Sequence, residues 1–393
     1  MTVADVAIAG GGIAGSALAI LLGRTGLAVE LYEQARFPRE KVCGEGILPG
    51  GAAVLEQLGL VEEVGGIPLR GIGYELAGRS ITVDFPARPN GQGAGLAQRR
   101  LTLDAALFAA AARTPGVRAR QGCRVEAALV RKGRVVGLEV DGRPRPAAWV
   151  VGADGVRSRL ARQLGLATTQ ASRRLGLRAH FRLRRPPAEP ARVRILVGQG
   201  YELYLTPLPN HELSVVALTQ AVRQPWKEQF YRWLAQAGLY AEVLRDAVPV
   251  SDLAAAAPLG ARVHTAVAPG FALLGDAAGA LDPITGTGIS HALLSAHLLA
   301  DELARASALE DAVLHRFERR RQQLLRPAAR LTRLLVALLR HPRLAARLLA
   351  LGNRIPGLLS QLAEACAPVL PLQPPSATSS QPSPTPATTP GFR

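Results

Sequence analysis

The chain opens on a short, mostly apolar run, residues 3–9, that stops at glycines, as a strand buried in a parallel sheet does. Residues 14–24 then read as a helix and residues 28–32 as a second strand. Together they predict a βαβ opening of about 30 residues. Between Gly71 and Gly95 glycines, prolines and alternating residues predict short strands and turns. Residues 101–112 read as a helix. From Val117 to Ala148 strand-like runs are broken at Lys132-Gly133 and Asp141-Gly142, both hairpin signals. From about Gly176 to Ala257 the pattern changes to strands bearing Arg, Tyr and Val, with a helix at 226–237, which predicts a second, sheet-based domain. The chain returns to the first domain near Gly270, a helix follows at 288–304, and residues 310–363 read as helical and arginine-rich. Residues 368–393 hold eight prolines among many Ser and Thr. Such a segment buries too little surface to fold, so a disordered tail is expected.

Three blocks along this pattern carry chemistry. The first, Gly10-Gly11-Gly12-Ile13-Ala14-Gly15, is G-x-G-x-x-G directly after a strand and opening a helix. Glycines there let backbone N–H groups approach a pyrophosphate that the helix N-terminus attracts. Glu33, 21 residues after Gly12, ends the second strand, where a carboxylate can accept from both hydroxyls of an adenosine ribose. The second block is Val150-Val151-Gly152-Ala153-Asp154-Gly155-Val156-Arg157-Ser158. The third is Gly275-Asp276-Ala277-Ala278, then Pro283 and Gly286-Thr287-Gly288-Ile289.

In order and at these separations, the three blocks resemble the flavoprotein monooxygenase and geranylgeranyl reductase superfamily, whose fold is that of p-hydroxybenzoate hydroxylase. The resemblance spans roughly residues 3–305 and implies FAD, not NAD, as the bound cofactor. It implies an α/β fold: a Rossmann-like FAD-binding domain interleaved with a β-sheet substrate domain, followed by C-terminal helices. The expected segments are 1–75, 97–175 and 266–310 for the FAD-binding domain and 76–96 and 176–265 for the substrate domain. Basic helices at 311–367 and the tail at 368–393 complete the chain.

The same resemblance assigns residues. Asp276 is expected to hold a ribityl hydroxyl. Gly288 and Ile289 would present N–H groups at a helix start beside the flavin N1–C2=O edge, a dipole that favours the anionic reduced ring. Asp154 would lie between FAD and a reductant path. Arg100 matches an FAD-contacting arginine, with Arg99 as its substitute, and Val125 would meet the adenine. The loop Arg39-Glu40-Lys41-Val42-Cys43-Gly44-Glu45-Gly46 resembles the Cys-Gly-Glu loop of geranylgeranyl reductase-like proteins, which puts Cys43, Gly44 and Gly46 along the isoalloxazine.

Charge changes the picture little. Forty-seven basic residues against 30 acidic give +17, which alone suggests nucleic acid or an anionic membrane. Only three of the basic residues are lysines, Lys41, Lys132 and Lys227, and aromatics make up 4%. An arginine bias of GC-rich composition without aromatic interleaving argues against nucleic acid. No window of ~18 residues is apolar and free of charge, so a spanning helix is not expected. The N-terminus lacks the basic region of a signal peptide. Cys43, Cys123 and Cys366 are too scattered for a disulfide framework or a metal site, which points to a reducing cytoplasm.

Two reactions share the expected scaffold. In one, the flavin uses O2 and NAD(P)H, the latter as a transient reductant, to hydroxylate or epoxidise a lipophilic aromatic secondary metabolite. In the other, reduced flavin passes hydride to a prenyl double bond. Prenyl reductases carry Tyr-x-Trp-x-Phe-Pro; the corresponding strand, Tyr201 to Pro209, lacks the tryptophan and the Phe-Pro, a departure that weakens the reductase reading. Halogenases need a lysine that the stretch between Lys41 and Lys132 does not contain. A single dinucleotide motif excludes enzymes with a separate NADPH domain. The expectation is therefore a monooxygenase. His180 is its candidate general base, since imidazole titrates near neutral pH, and Tyr204 a candidate cavity residue. His291 is expected to be structural. From Ala312 to Ala363 there are eleven arginines and one acid, Glu318, with leucines 331, 334, 335, 338 and 339 on one helical face. Such a helix suits an anionic bilayer surface, and a peripheral membrane flavoprotein without turnover is a third reading.

Overall fold

The computed structural model describes residues 3–85, 94–168, 174–187, 189–220, 225–306, 310–338, 341–352, 354–355 and 357–371. The first strand, β1 (Ala4–Ala9), pairs in parallel with β2 (Val29–Glu33) and with the strand Arg143–Gly152. Val117–Gln121 extends the sheet beyond β2 and Phe271–Leu273 extends it on the other side, both parallel to their neighbours. Helix α1 (Ile13–Gly23) is buried at all eleven positions, because it lies between this sheet and the helix Gly288–Ala304. That explains its near-continuous apolar sequence.

Alternation along β1 divides two cores. Val6 and Ile8 pack with α1, Arg100–Arg113 and Gly288–Ala304, while Ala7 and Ala9 face the antiparallel strands that cover the other side. Those strands turn at Lys132-Gly133 and Asp141-Gly142, where both residues of each pair have positive φ (49° and 75°, 49° and 69°). This is the geometry of a two-residue hairpin turn whose twist matches the strands.

The second sheet runs Val248–Pro249, Arg174–Arg182, Glu212–Gln220, Tyr201–Leu208, Arg192–Val197, Gly71–Leu76, Arg79–Asp84. It takes in chain from Gly71 onward, ahead of the expected start at 76. Residues 95–97 pair instead with 46–47 and 67–69 in a small sheet between the two large ones. The arginine-rich region is three helices, Ala312–Leu338, Pro342–Gly352 and Leu358–Cys366. Ala367 is buried and Leu370 packs on the main core, so ordered chain runs past the expected boundary at 368. The rest of the expected tail, from 372, lies outside the described residues. Among those described, no helix is long and apolar enough to cross a membrane.

Candidate active site

The C-terminal end of the parallel sheet meets the second sheet around a cavity of about 500 Å³. In open α/β sheets this end is where ligands bind. Gly10 has φ +107°, and a Cβ there would lie 2.3 Å from the Ala153 carbonyl oxygen; at Gly15 it would lie 1.9 Å from the Gly10 oxygen. Only glycine permits this turn and this strand-to-helix contact. Gly12 and Ala14 line the cavity, as do Cys43, Gly44, Gly46, Arg100, Tyr204, Asp276, Gly288 and Ile289. Residues 12–14, 41–46, 275–276 and 286–289 are thereby brought to one place.

Four glycines that line the cavity, Gly44, Gly155, Gly286 and Gly288, have nothing within 4 Å of an added Cβ, so backbone is open to a ligand. Helices α1 and Gly288–Ala304 both start there without a side-chain cap, leaving their first N–H groups available to an acceptor. Asp154 caps the short helix Arg159–Gln163, accepting from the Arg159 N–H at 2.8 Å, while its buried Oδ1 has no protein partner. An uncapped pair of helix starts and open backbone fit a long, polar, phosphate-bearing cofactor; Asp154 lies between the lining residues Ala153 and Gly155 without itself lining the cavity.

Glu33, Val125 and Arg99 do not line the cavity, whereas Arg100 does. Glu33 closes the glycine turn, accepting from Gly11 N–H at 2.8 Å and Ala35 N–H at 2.9 Å, and keeps lone pairs for a further partner. Val125 begins a strand opposite Val140 and does not line the cavity. Arg100 is buried in a bidentate pair with Asp104 (2.7 and 2.8 Å), and Arg39 shares that carboxylate at 3.0 Å. Arg99 points elsewhere, to Glu40 and Glu212.

His180 departs most from expectation. It is fully buried and absent from the cavity wall. Its Nδ1 lies 2.7 Å from the Arg178 guanidinium, which can only donate, so Nε2 donates to Glu45 at 2.7 Å. Neither nitrogen is free for a substrate. Glu45 sits at φ 62°, held by Gln98 N–H on its carbonyl and Arg100 N–H on its carboxylate. Burial works against its ionisation, but the hydrogen bonds from His180 and Arg100 prevail and bring its pKa below the usual value. Tyr204 donates to the Ile284 carbonyl at 3.3 Å, and burial raises its hydroxyl pKa well above the ordinary value.

Sequence reasoning passed over Lys41, whose Nζ lies 3.3 Å from Asp276 Oδ2. A lysine kept at the cavity in a chain that otherwise uses arginine was an available signal. Arg178, buried behind His180, left none.

The family model described as FAD binding domain matches residues 3–332. The chain belongs to this family. It is an FAD-dependent oxidoreductase with a p-hydroxybenzoate hydroxylase-type fold. The menaquinone reductase of Mycolicibacterium smegmatis is 30% identical over 324 residues, 76% of each chain. Digeranylgeranylglycerophospholipid reductase 2 of Methanopyrus kandleri is 27% identical over 335 residues, 81% of each. The flavin-dependent brominase Bmp2 superposes with a TM-score of 0.79 over 93% of this chain and 94% of its own, at 21% identity, a likeness of fold.

Proposed function

We propose that this flavoprotein reduces carbon–carbon double bonds in the isoprenoid chain of a prenylated quinone or prenyl lipid, with NAD(P)H as transient reductant. The observation that carries this reading is that the carboxylates and the histidine lining the cavity, with Lys41 and Arg100, are already engaged. Lys41 pairs with Asp276, Arg100 with Asp104 and Asp282 with Arg174. Glu45 is held by His180, and His291 donates to the Cys366 carbonyl. Hydroxylating a phenol calls for a free base to take the hydroxyl proton. Reducing an alkene calls for a dry, shaped wall.

The substrate strand supports the same reading. Along Tyr201–Leu208, Leu203 and Leu205 pack toward the helix Trp226–Ala235, whereas Tyr204 and Thr206 face the cavity. The strand still departs from the prenyl reductase motif: read from Tyr204 it keeps Tyr and Pro209, with Thr206 and Leu208 in place of Trp and Phe. The two reductases of long shared coverage support the reading as well. This reading replaces oxygenation of an aromatic metabolite as the leading one.

FAD, when bound, supplies two-electron hydride chemistry. Gly12, Ala14 and the start of α1 are assigned to its pyrophosphate and Glu33 to the adenosine ribose. Asp276 is assigned to the ribityl chain, and Gly288 and Ile289 to the flavin edge. Cys43, Gly44 and Gly46 flank the ring, and Tyr204, its hydroxyl proton held by the Ile284 carbonyl, shapes the substrate wall with its ring. We also infer that the C-terminal helices rest on an anionic bilayer. Leu334, Leu344, Leu348, Leu351 and Ile355 are exposed there among exposed Arg330, Arg333, Arg343, Arg347 and Arg354. Arg340 and Leu339 lie outside the described residues.

The deciding experiment reduces the holoenzyme anaerobically with NAD(P)H, adds geranylgeranylated quinone, and follows product mass. A gain of two hydrogens without oxygen is expected. A product that forms only after oxygen is admitted and carries one added oxygen atom overturns the reading.

A further inference from the structure

A second cavity, of about 280 Å³, lies beneath the C-terminal helices. Its floor is the second sheet, at Val83 and Val197, and its roof is Leu331, Leu335, Leu338 and Leu359. It shares Leu48, Ile72, Ile195 and Thr285 with the cavity of the candidate active site, so the two are adjacent and meet at these side chains. We propose that this second cavity seats the distal part of a long isoprenoid chain while a double bond nearer the head lies in the first. The identity of the chain rests on the reductase reading above; the existence of an alkyl subsite does not.

Two observations carry the proposal. The wall is hydrocarbon almost throughout, and its charged member, Glu202, is ion-paired with Arg174, so an alkyl chain leaves no lone charge behind. The roof is tied to elements that line the first cavity: Thr332 to Thr285 at 3.2 Å, and the Cys366 carbonyl to His291 at 2.7 Å. The helices therefore hold a set height above the sheet.

The test uses holoenzyme and two probes that need no turnover, geraniol and the longer alcohol phytol, with affinities measured by calorimetry. Wild type is expected to bind phytol at least ~tenfold more tightly than geraniol, since the extra carbons bury only apolar surface. Leu335→Trp and Leu359→Trp, on different helices, should each reduce that preference to below ~threefold while leaving geraniol affinity and FAD content unchanged. A geranylgeraniol analogue with a photoreactive group at its far end should crosslink wild type within residues 331–338 or 358–366. This keeps the proposal testable if either variant misfolds. Absence of a length preference in wild type, an unchanged preference in both folded variants, or crosslinks confined to the first cavity overturns it. Length-dependent binding without double-bond reduction would retire the reductase reading and leave the subsite standing.

Discussion

At His291 burial decides the protonation state. The ring is 8% exposed on the helix Gly288–Ala304, and burial pushes its pKa down to about 4, against the pull of its hydrogen bond to the Cys366 carbonyl and with help from Arg321. In the unfolded chain the same ring titrates near its ordinary value of 6.5. Above that pH neither state binds the proton and His291 costs nothing. As the pH falls toward 4 the unfolded chain takes up a proton that the native state refuses, and the native state loses about 3 kcal/mol through this residue. His291→Gln keeps a donor for the Cys366 carbonyl and removes the titration. Urea unfolding at pH 7 and pH 4 should therefore show a shallower acid loss in the variant than in wild type. Equal losses would mean that the ring is hydrated and ordinary.

Between elements, the closest approach that matters to the site is helix Pro49–Gln57 against Gly288–Ala304. A Cβ at Gly51 would lie 2.6 Å from Ser290 Oγ and 2.8 Å from Ser290 Cα, so the glycine sets the spacing of the two helices. Ser290 Oγ in turn accepts from the Leu48 N–H at 3.0 Å, fixing the chain that leads out of the Cys43–Gly46 loop. Gly51→Val gains little helix propensity, because β-branching offsets the loss of glycine, and must push against backbone. Overpacking of this kind costs about 1–3 kcal/mol. The expected outcome is a lower Tm together with weaker FAD retention on dilution, because the displaced helix carries the uncapped N-terminus at the cavity. A normal Tm and normal FAD retention would show that the helices slide without consequence.

For the whole molecule, net charge of +17 sits on a surface whose apolar exposure concentrates in the C-terminal helices. If that face rests on anionic lipid, each arginine near the surface contributes about 1 kcal/mol at modest ionic strength. Changing Arg333, Arg343 and Arg347 together to Gln should then weaken binding to phosphatidylserine vesicles roughly 100-fold, with bound FAD unaffected. Wild-type binding should fall steeply with salt, the Debye length being about 10 Å at 0.1 M and 3 Å at 1 M. Wild type that stays in the supernatant at low salt would make this a solvated basic face. The outcome bears on supply, since a substrate with a long apolar tail reaches its enzyme from a bilayer.

The sequence alone determined what depends on neighbours along the chain. The apolar run into Gly10–Gly15 specified β1, the turn and α1, since periodicity and φ are local properties. Lys132-Gly133 and Asp141-Gly142 specified their hairpins for the same reason. The three blocks at 10–15, 150–158 and 275–289 marked where those turns meet. What tertiary structure decided was which side chains meet across long separations. His180 offered a plausible base by residue type, yet the sheet brings Arg178 and Glu45 to its two nitrogens and seals it. Lys41 and Asp276, 235 positions apart, pair because two loops converge on one sheet end. The leucine stripe from 331 to 338 was legible as an apolar face, because a helical period reveals a face. A period does not reveal what covers that face, and here it is divided between a cavity over the second sheet and solvent.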